Sequence, residues 1–278
     1  MWVGQQLADG LDFWGFLGSL ILGGIILGIY TGLLGYVGAK TGLSLDLLSQ
    51  RAFGEKGSYL PSAMTSFTQI GWFSVGSFVS GGTATPNFAR FAKNGKAGAI
   101  TTVVAFFIGN SLMFFFGAVS SIFVGGNDIF EVMVRLNLFY LAVLVLGLNI
   151  WTTNDNALYT AGLGLANIFH QRKKPMVLLS GIIGTVASVW LYYNFCGWLN
   201  VLNCALPPIG MIVILDYFKN RSKYEGKHTE AVVNWFNVLG IIAAAAVANF
   251  LHWGIAAVNA MVVSAIFFFI GELTGANK

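Results

Sequence analysis

Residues 149–156 read Asn-Ile-Trp-Thr-Thr-Asn-Asp-Asn, and they lie inside a long hydrophobic segment. The preceding run, 139–148, is almost wholly apolar, and the following run, 157–169, consists mostly of small and apolar residues. Amide, hydroxyl and carboxyl groups are costly in hydrocarbon unless a partner or a water-filled cavity satisfies them. Their density within one predicted membrane span therefore indicates a site that holds a polar ligand near the middle of the membrane.

The composition of the whole chain is that of a membrane protein. Its 278 residues are 56% hydrophobic and only 9% charged, whereas an ordinary soluble domain is about 25% charged. Several long apolar runs favour helical spans, so the predicted fold class is an all-α integral membrane protein. The net charge of +4 lies in short loops and does not indicate a nucleic-acid partner. No nucleophile–base pair or metal cluster is visible in the sequence, which argues against an enzyme.

Eight hydrophobic segments follow from the pattern, and short connections separate them. They are 13–39, 58–89, 97–124, 137–169, 176–195, 198–217, 232–251 and 253–271. Thirteen of the fifteen Lys and Arg residues fall in four loops, which are 40–57, 90–96, 170–175 and 218–230. Because cytoplasmic loops collect Lys and Arg, these four are predicted to face the cytoplasm of a multi-pass protein in a bacterial inner membrane.

The segment 58–89 conflicts with this topology, since it joins two loops that are both predicted to be cytoplasmic. It is long for one span and short for two, and it is rich in Gly, Ser and Thr. Three explanations are open. The segment forms a re-entrant hairpin, or one basic loop is assigned to the wrong side, or the chain lacks an even number of crossings and two half-spans are joined.

Several stretches of the chain resemble one known family. Residues 149–159 and 162–164 are similar to the eighth helix of the bacterial cytosine permeases, in the nucleobase–cation symport (purine–cytosine permease-like) family. Other stretches match in the family order, and they are 28–42, 53–58, 68–73 (Thr-Gln-Ile-Gly-Trp-Phe, like the third helix), 77–83 (Ser-Phe-Val-Ser-Gly-Gly-Thr, like the sixth) and 207–217 (like the tenth). The resemblance extends over nearly the whole chain.

The resemblance implies a truncated LeuT-like inverted-repeat transporter. The family has twelve helices, whereas this chain starts near the middle of the first and passes from the third-helix motif into the sixth-helix motif around 75–76. The first helix and the region between the third and sixth are therefore expected to be missing. The expected organisation is one membrane domain, 1–278, with a fused third/sixth-helix segment at 58–89 and a peripheral C-terminal helix pair at 232–271.

The function that the resemblance implies is transport of cytosine or a related nucleobase by symport with Na⁺, without an organic cofactor. The alternative is a non-transporting truncated remnant, or a membrane interaction partner of an intact permease. Other expected contacts are the lipid bilayer and helix-mediated self-association.

A cation site is predicted on one face of the segment 137–169. Asn149, Thr152, Thr153 and Asn156 are spaced i, i+3, i+4, i+7, so they share a helix face. Hydroxyl and carbonyl oxygens are hard ligands of the kind that suit Na⁺. The resemblance assigns Na⁺ to the backbone carbonyl of Asn149 and the hydroxyls of Thr152 and Thr153. The structural alternative is that these groups bond backbone carbonyls or neighbouring helices.

A nucleobase site is predicted beside the cation site. A flat, uncharged base needs an aromatic face for stacking and amide groups for its hydrogen-bonding edge. The alternative for the aromatic residues is ordinary packing. The resemblance assigns substrate contacts to Gln69 and Trp72 of the third-helix motif and to Ser77, Phe78 and Gly81 of the sixth-helix motif. An edge contact from Asn149 or Asn154 is a further expectation.

Asp155 is the only acid deep within a predicted span. It could carry a proton, or it could anchor the helix by bonding Asn154 or Tyr159, and the anchor is the favoured interpretation.

Two features near the end of segment 198–217 also carry expectations. Pro207-Pro208 is predicted to interrupt the helix, as a hinge or a kink, because two backbone donors are missing. Asp216 lies close in sequence to Lys219 and Arg221, so an ion pair at the membrane surface is expected.

Overall fold

The computed structural model describes residues 12–75, 83–125, 129–225, 232–250 and 254–275, and they contain helices and no strand. The helices are α1 (Phe13–Thr41), α2 (Leu45–Phe53), α3 (Tyr59–Val75), α4 (Pro86–Ala89), α5 (Gly95–Val104), α6 (Asn110–Val124), α7 (Ile129–Arg135), α8 (Phe139–Phe169), α9 (Lys173–Tyr193), α10 (Phe195–Lys219), α11 (Trp235–Phe250) and α12 (Ala256–Leu273). A π-helical turn, Ala105–Gly109, connects α5 to α6, and a 3₁₀ helix, Arg221–Tyr224, follows α10.

The structure confirms an all-α, multi-pass membrane protein. Within the described ranges, four helical segments are long and apolar enough to cross a membrane, and they are Phe13–Thr41, Gly95–Val124, Lys173–Leu191 and Ala256–Leu273. At 31 and 25 residues, α8 and α10 also exceed the roughly 20 residues that span the hydrocarbon.

The fused segment 58–89 is described only in part. Its first residues form α3, its last residues form the short α4, and 76–82 lie outside the described residues. Whether the segment crosses the membrane or returns therefore stays a prediction.

The chain divides into two compact units. The first comprises residues 1–32 and 100–152, of which 12–32, 100–125 and 129–152 are described. Within it, α1 approaches the π-helical turn closely, because a Cβ added at Gly24 would lie 3.0 Å from the Phe107 ring. Glycine lets the backbone and an aromatic ring meet without a gap, as is usual where helices pack in lipid.

The second unit comprises residues 33–99 and 153–278. In it α3 packs against α9, and α10 packs against both α11 and α12. The contact among α10, α11 and α12 contains a cluster of small buried residues, Cys204, Ala244, Ala248 and Ala260. Small side chains allow close helix approach and dense van der Waals contact, which is the main attraction between helices in a bilayer.

Asp216 forms an ion pair at the end of α10, as expected, but its partner is Lys223 rather than Lys219 or Arg221. The Lys223 Nζ lies 3.3 Å from the Asp216 Oδ1. The Asp216 carboxylate is fully buried and also accepts hydrogen bonds from Tyr224 (2.6 Å) and Asn220 (2.9 Å). Such extra bonds compensate the loss of hydration when a charge is buried.

Neither proline of Pro207-Pro208 ends the helix, because α10 continues through both to Lys219. A hinge or a kink at this point stays a prediction. Membrane helices tolerate proline where neighbouring groups satisfy the freed backbone carbonyls.

Candidate substrate and cation site

The predicted cation ligands lie on α8, which remains helical through the polar stretch. The Thr152 hydroxyl lies 3.1 Å from the carbonyl oxygen of Asn149 and 3.2 Å from that of Leu148, so its single proton is donated to its own helix. This back-bonding is the structural alternative that the sequence left open. Because the proton is used there, only lone pairs of the Thr152 oxygen face outward, and Thr152 is exposed. An outward acceptor of this kind is compatible with a cation.

The next residues of α8 differ sharply in their surroundings. Thr153 and Asn154 are partly buried, whereas Asp155 and Asn156 are exposed. The Oδ1 atom of Asn154 is buried and has no hydrogen-bond partner among the described residues. A buried acceptor without a donor costs free energy, so this oxygen is the atom of the polar stretch with most to gain from a further donor.

The structure does not show the anchor role favoured for Asp155. Its carboxyl group is exposed, and within the described part of the chain no hydrogen bond joins it to Asn154 or Tyr159. The Tyr159 hydroxyl instead accepts a hydrogen bond from Arg90.

The other predicted substrate residues are described unevenly. Gln69 lies on α3 with its side chain 7% exposed. Trp72 also belongs to α3, but its side chain lies outside the described residues, as do Ser77, Phe78 and Gly81 altogether. Their contacts with substrate stay predictions.

A line of polar contacts, the α3–α8 seam, joins the two helices that carry Gln69 and Asn154. The Ser66 hydroxyl donates to the carbonyl of Ala161 (3.1 Å), and the Asn167 amide donates to the Ser62 hydroxyl (2.8 Å). As residue numbers rise along α3, those of their α8 partners fall, so the helices are antiparallel here. One further turn along this register brings Gln69 to the level of Ala157, about one turn from Asn154.

Glycine is required at position 164 in the middle of the seam. A Cβ added there would overlap the Ser66 Oγ and lie 2.8 Å from the backbone carbonyl oxygen of Ser62. A side chain can rotate away from such a contact, but a helical carbonyl cannot. The seam is therefore a direct approach of one helix backbone to the other.

Asp46 closes the seam at one end, from the short helix α2. Its carboxylate is 5% exposed and accepts a hydrogen bond from the Ser62 hydroxyl (2.7 Å). Gln50 of α2 donates to the Asn167 side-chain oxygen (2.5 Å). Burial raises the pKa of Asp46 from 3.8 to about 6, although the Ser62 hydrogen bond and the positive charge of Arg90 act to lower it.

The sequence did not single out this network, because Asp46 lies in a loop expected to be cytoplasmic. One signal was present. Ser58, Ser62 and Ser66 are spaced i, i+4, i+8, which is the spacing of one helix face. Ser62 and Ser66 lie on α3, and Ser58 directly precedes it.

Asp46 predicts a pH dependence of stability. Because its pKa is higher in the folded protein, the carboxylate is destabilising above about pH 6 and the penalty disappears as pH falls toward 4. Acidification from about pH 7.5 to about pH 5 should raise the melting temperature by about 3 °C more in the wild type than in Asp46→Asn. This shift corresponds to a difference of about 1.4 kcal/mol in the free energy of unfolding. Thermal unfolding in detergent at both pH values measures this difference, and identical pH slopes would contradict it.

Comparisons with known proteins match this chain to one family of permeases. The family model described as "Permease for cytosine/purines, uracil, thiamine, allantoin" matches residues 1–85 and 74–271. The two matched stretches meet at 74–85, which includes the join predicted at 75–76. The chain is 36% identical to the cytosine permease of Escherichia coli K12 over 362 residues, covering 97% of this chain and 86% of that protein. The cytosine permeases of E. coli O6:H1 and O157:H7 match equally.

The length of this alignment reveals an internal gap. It runs over 362 positions, whereas 97% of this 278-residue chain is about 270 residues, so about 90 positions of the relative have no counterpart. A family-model match over most of the chain and 36% identity over 97% of it leave no ambiguity about ancestry. The chain belongs to the family of permeases for cytosine and purines, uracil, thiamine and allantoin.

Proposed function

We propose that this protein transports cytosine or a related nucleobase across the membrane by symport with Na⁺. Membership of the permease family and the names of the matched relatives support the nucleobase as substrate. The observation that carries the proposal is the buried Oδ1 of Asn154, which has no partner among the described residues. Extending the register of the α3–α8 seam places Gln69 about one turn from Asn154. The LeuT-like arrangement and the cytoplasmic position of the basic loops belong to the same proposal.

The polar groups on the seam suit the edge of a nucleobase. Cytosine carries an exocyclic amino group that donates, next to ring and carbonyl atoms that accept. The Asn154 Oδ1 accepts from that amino group, and the Gln69 amide can both donate and accept. Stacking on Trp72, with contacts from Ser77, Phe78 and Gly81, completes the proposed site. Buried polar groups of this kind reject analogues that leave them unpaired.

The proposed Na⁺ ligands are the Asn149 carbonyl and the hydroxyls of Thr152 and Thr153. The 3.1 Å distance between the Thr152 hydroxyl and the Asn149 carbonyl oxygen brings two of these oxygens close enough to share one ion. Coupling follows if Na⁺ binds more tightly to the conformation that also binds the base, since each ligand then raises the affinity for the other.

Uptake measurements in cells that lack their own cytosine permease test the sodium site. Radiolabelled cytosine uptake by the wild type should increase with external Na⁺. Thr152→Ala removes a ligand oxygen and should raise the Na⁺ concentration for half-maximal uptake by about tenfold, the effect of losing about 1.4 kcal/mol of binding. Thr153→Ala should act in the same direction.

Thr152→Ser is the matched control, because it keeps the hydroxyl, and its Na⁺ dependence should stay close to that of the wild type. Uptake that ignores Na⁺ and follows pH would contradict the sodium site and point to Asp155 as a proton carrier. A folded protein without any uptake would support the non-transporting remnant or interaction partner. The comparisons do not favour that alternative, because similarity extends over 97% of the chain.

A further inference from the structure

Two cationic side chains meet at Tyr159 of α8. Tyr159 lies between Asn154 and the C-terminal end of that helix. Arg90, just after α4, donates from its Nη2 to the Tyr159 hydroxyl oxygen. The Lys173 ammonium, from the first turn of α9, lies 3.5 Å from the centre of the Tyr159 ring. Phe88 covers the same ring at a centroid distance of 5.8 Å. The phenol is therefore held by two positive charges and one aromatic ring.

The groups around Tyr159 have more donors than acceptors. Because the phenol oxygen accepts from Arg90, its own proton is free to be donated elsewhere. The Nε of Arg90 is buried and has no hydrogen-bond partner in the part of the chain that the structure describes. The Lys173 ammonium adds up to three donors.

In the part of the chain that the structure describes, no carboxylate pairs with this charge. Among the described residues, neither Arg90 nor Lys173 forms an ion pair. The charge of Arg90 acts to lower the pKa of Asp46, but the two side chains form no ion pair. The Asp46 carboxylate already accepts a hydrogen bond from Ser62. Unused donors and two positive charges are the arrangement that binds an oxyanion such as phosphate.

The surroundings of the cluster indicate which kind of molecule carries such a phosphate. Lys173 begins α9 within the connection 170–175, which is predicted to lie at the cytoplasmic surface of the membrane, so the cluster includes a residue from that surface. The neighbouring rings of Phe88 and Phe91 are 41% and 73% exposed, so an apolar surface borders the cations. A phosphate that arrives with acyl chains fits both features.

We propose that Arg90, Tyr159 and Lys173 bind the phosphate group of an anionic phospholipid. Basic pockets between membrane helices bind acidic headgroups in this way. The lipid neutralises two cations that would otherwise repel each other and so stabilises the contact between α8, α9 and the residues after α4.

Thermal unfolding of the purified full-length chain in a mild detergent tests the proposal without requiring transport. Added phosphatidylglycerol should raise the melting temperature of the wild type by about 3–5 °C relative to added phosphatidylcholine. Lys173→Gln and Tyr159→Phe should lose at least half of that difference, because the first removes a charge over the ring and the second removes the free O–H donor.

Lys174→Gln is the matched control. It removes the same charge from the adjacent, exposed residue of α9 and should keep the full lipid-dependent shift. The proposal is overturned if phosphatidylglycerol and phosphatidylcholine act alike on the wild type, or if Lys174→Gln loses as much as Lys173→Gln. Inorganic phosphate alone is the third condition. A full shift of the melting temperature with inorganic phosphate would show that the site binds a free anion and not a lipid. If Lys173→Gln does not fold, Tyr159→Phe decides the outcome, since it keeps the ring and both charges.

Discussion

Replacing Gly164 by alanine is expected to destabilise the protein by about 2–3 kcal/mol and to lower its melting temperature by about 5 °C. The new methyl group would overlap the Ser66 hydroxyl and lie 2.8 Å from the backbone carbonyl oxygen of Ser62. Relief requires α3 and α8 to move apart, which would stretch the Ser66–Ala161 hydrogen bond and the contacts of Asn167. Thermal unfolding in detergent, with nucleobase uptake measured in parallel, shows both the loss of stability and the displacement of the seam.

Gly147→Ala provides the control within the same helix. Nothing lies within 4 Å of a Cβ added at Gly147, so only the higher helix propensity of alanine remains, worth up to about 1 kcal/mol in the stabilising direction. The two substitutions are chemically identical and should change the melting temperature in opposite directions. A Gly164→Ala protein as stable as the wild type would show that the helices do not approach as closely as described.

Replacing Asn154 by leucine is expected to raise the KM for cytosine by about 10- to 100-fold, the cost of leaving a substrate donor unpaired in a buried site. Leucine has nearly the shape of asparagine but no acceptor. Because the Asn154 Oδ1 has no partner among the described residues, the substitution breaks no described bond to this atom. The melting temperature should therefore stay constant or rise, since an unsatisfied buried acceptor is removed.

The opposite effects on transport and stability separate a binding role from a structural role. Asn156→Leu is the control for a substrate contact, because Asn156 is exposed on the same helix and is not assigned to substrate. Both variants are measured at saturating Na⁺, since Asn156 shares the helix face of the predicted cation site. The KM of Asn156→Leu should remain within about twofold of the wild-type value, less than about 0.5 kcal/mol. A Asn154→Leu protein that unfolds earlier but keeps the wild-type KM would mean that the amide serves the fold and not the substrate.

The long helices could be predicted closely from the sequence. The segments expected at 13–39 and 253–271 correspond to Phe13–Thr41 and Ala256–Leu273. Apolar runs of this length have few alternatives in a bilayer, because every backbone group must be bonded within the segment.

The short helices could not be predicted in the same way. At the start of the nine-residue α2, the Leu47 amide donates to the Ser44 hydroxyl oxygen, and the Leu45 amide donates to the side-chain oxygen of Asn87 at 2.8 Å. The second of these bonds comes from a residue far along the chain, so no local pattern reveals it.

Only part of the candidate site could be predicted from the sequence. The polar stretch 149–156 is conspicuous in the sequence because hydrocarbon penalises each of its groups separately. The role of Asp46, by contrast, depends on its hydrogen-bond network with Ser62 and Asn167. These residues are far apart along the chain, so the sequence does not reveal the network.

The sequence by itself determined that this protein is a helical membrane permease with polar groups in the middle of α8. Hydrophobic length and the cost of burying a polar group are local properties, so they can be evaluated residue by residue. Only the tertiary structure decided which of those polar groups already have partners. The Asn167 amide is used by Ser58 and Ser62, the Thr152 proton by its own helix, and the Asn154 oxygen by no described residue. That distinction depends on helices that come from distant parts of the chain, so no local pattern in the sequence reveals it.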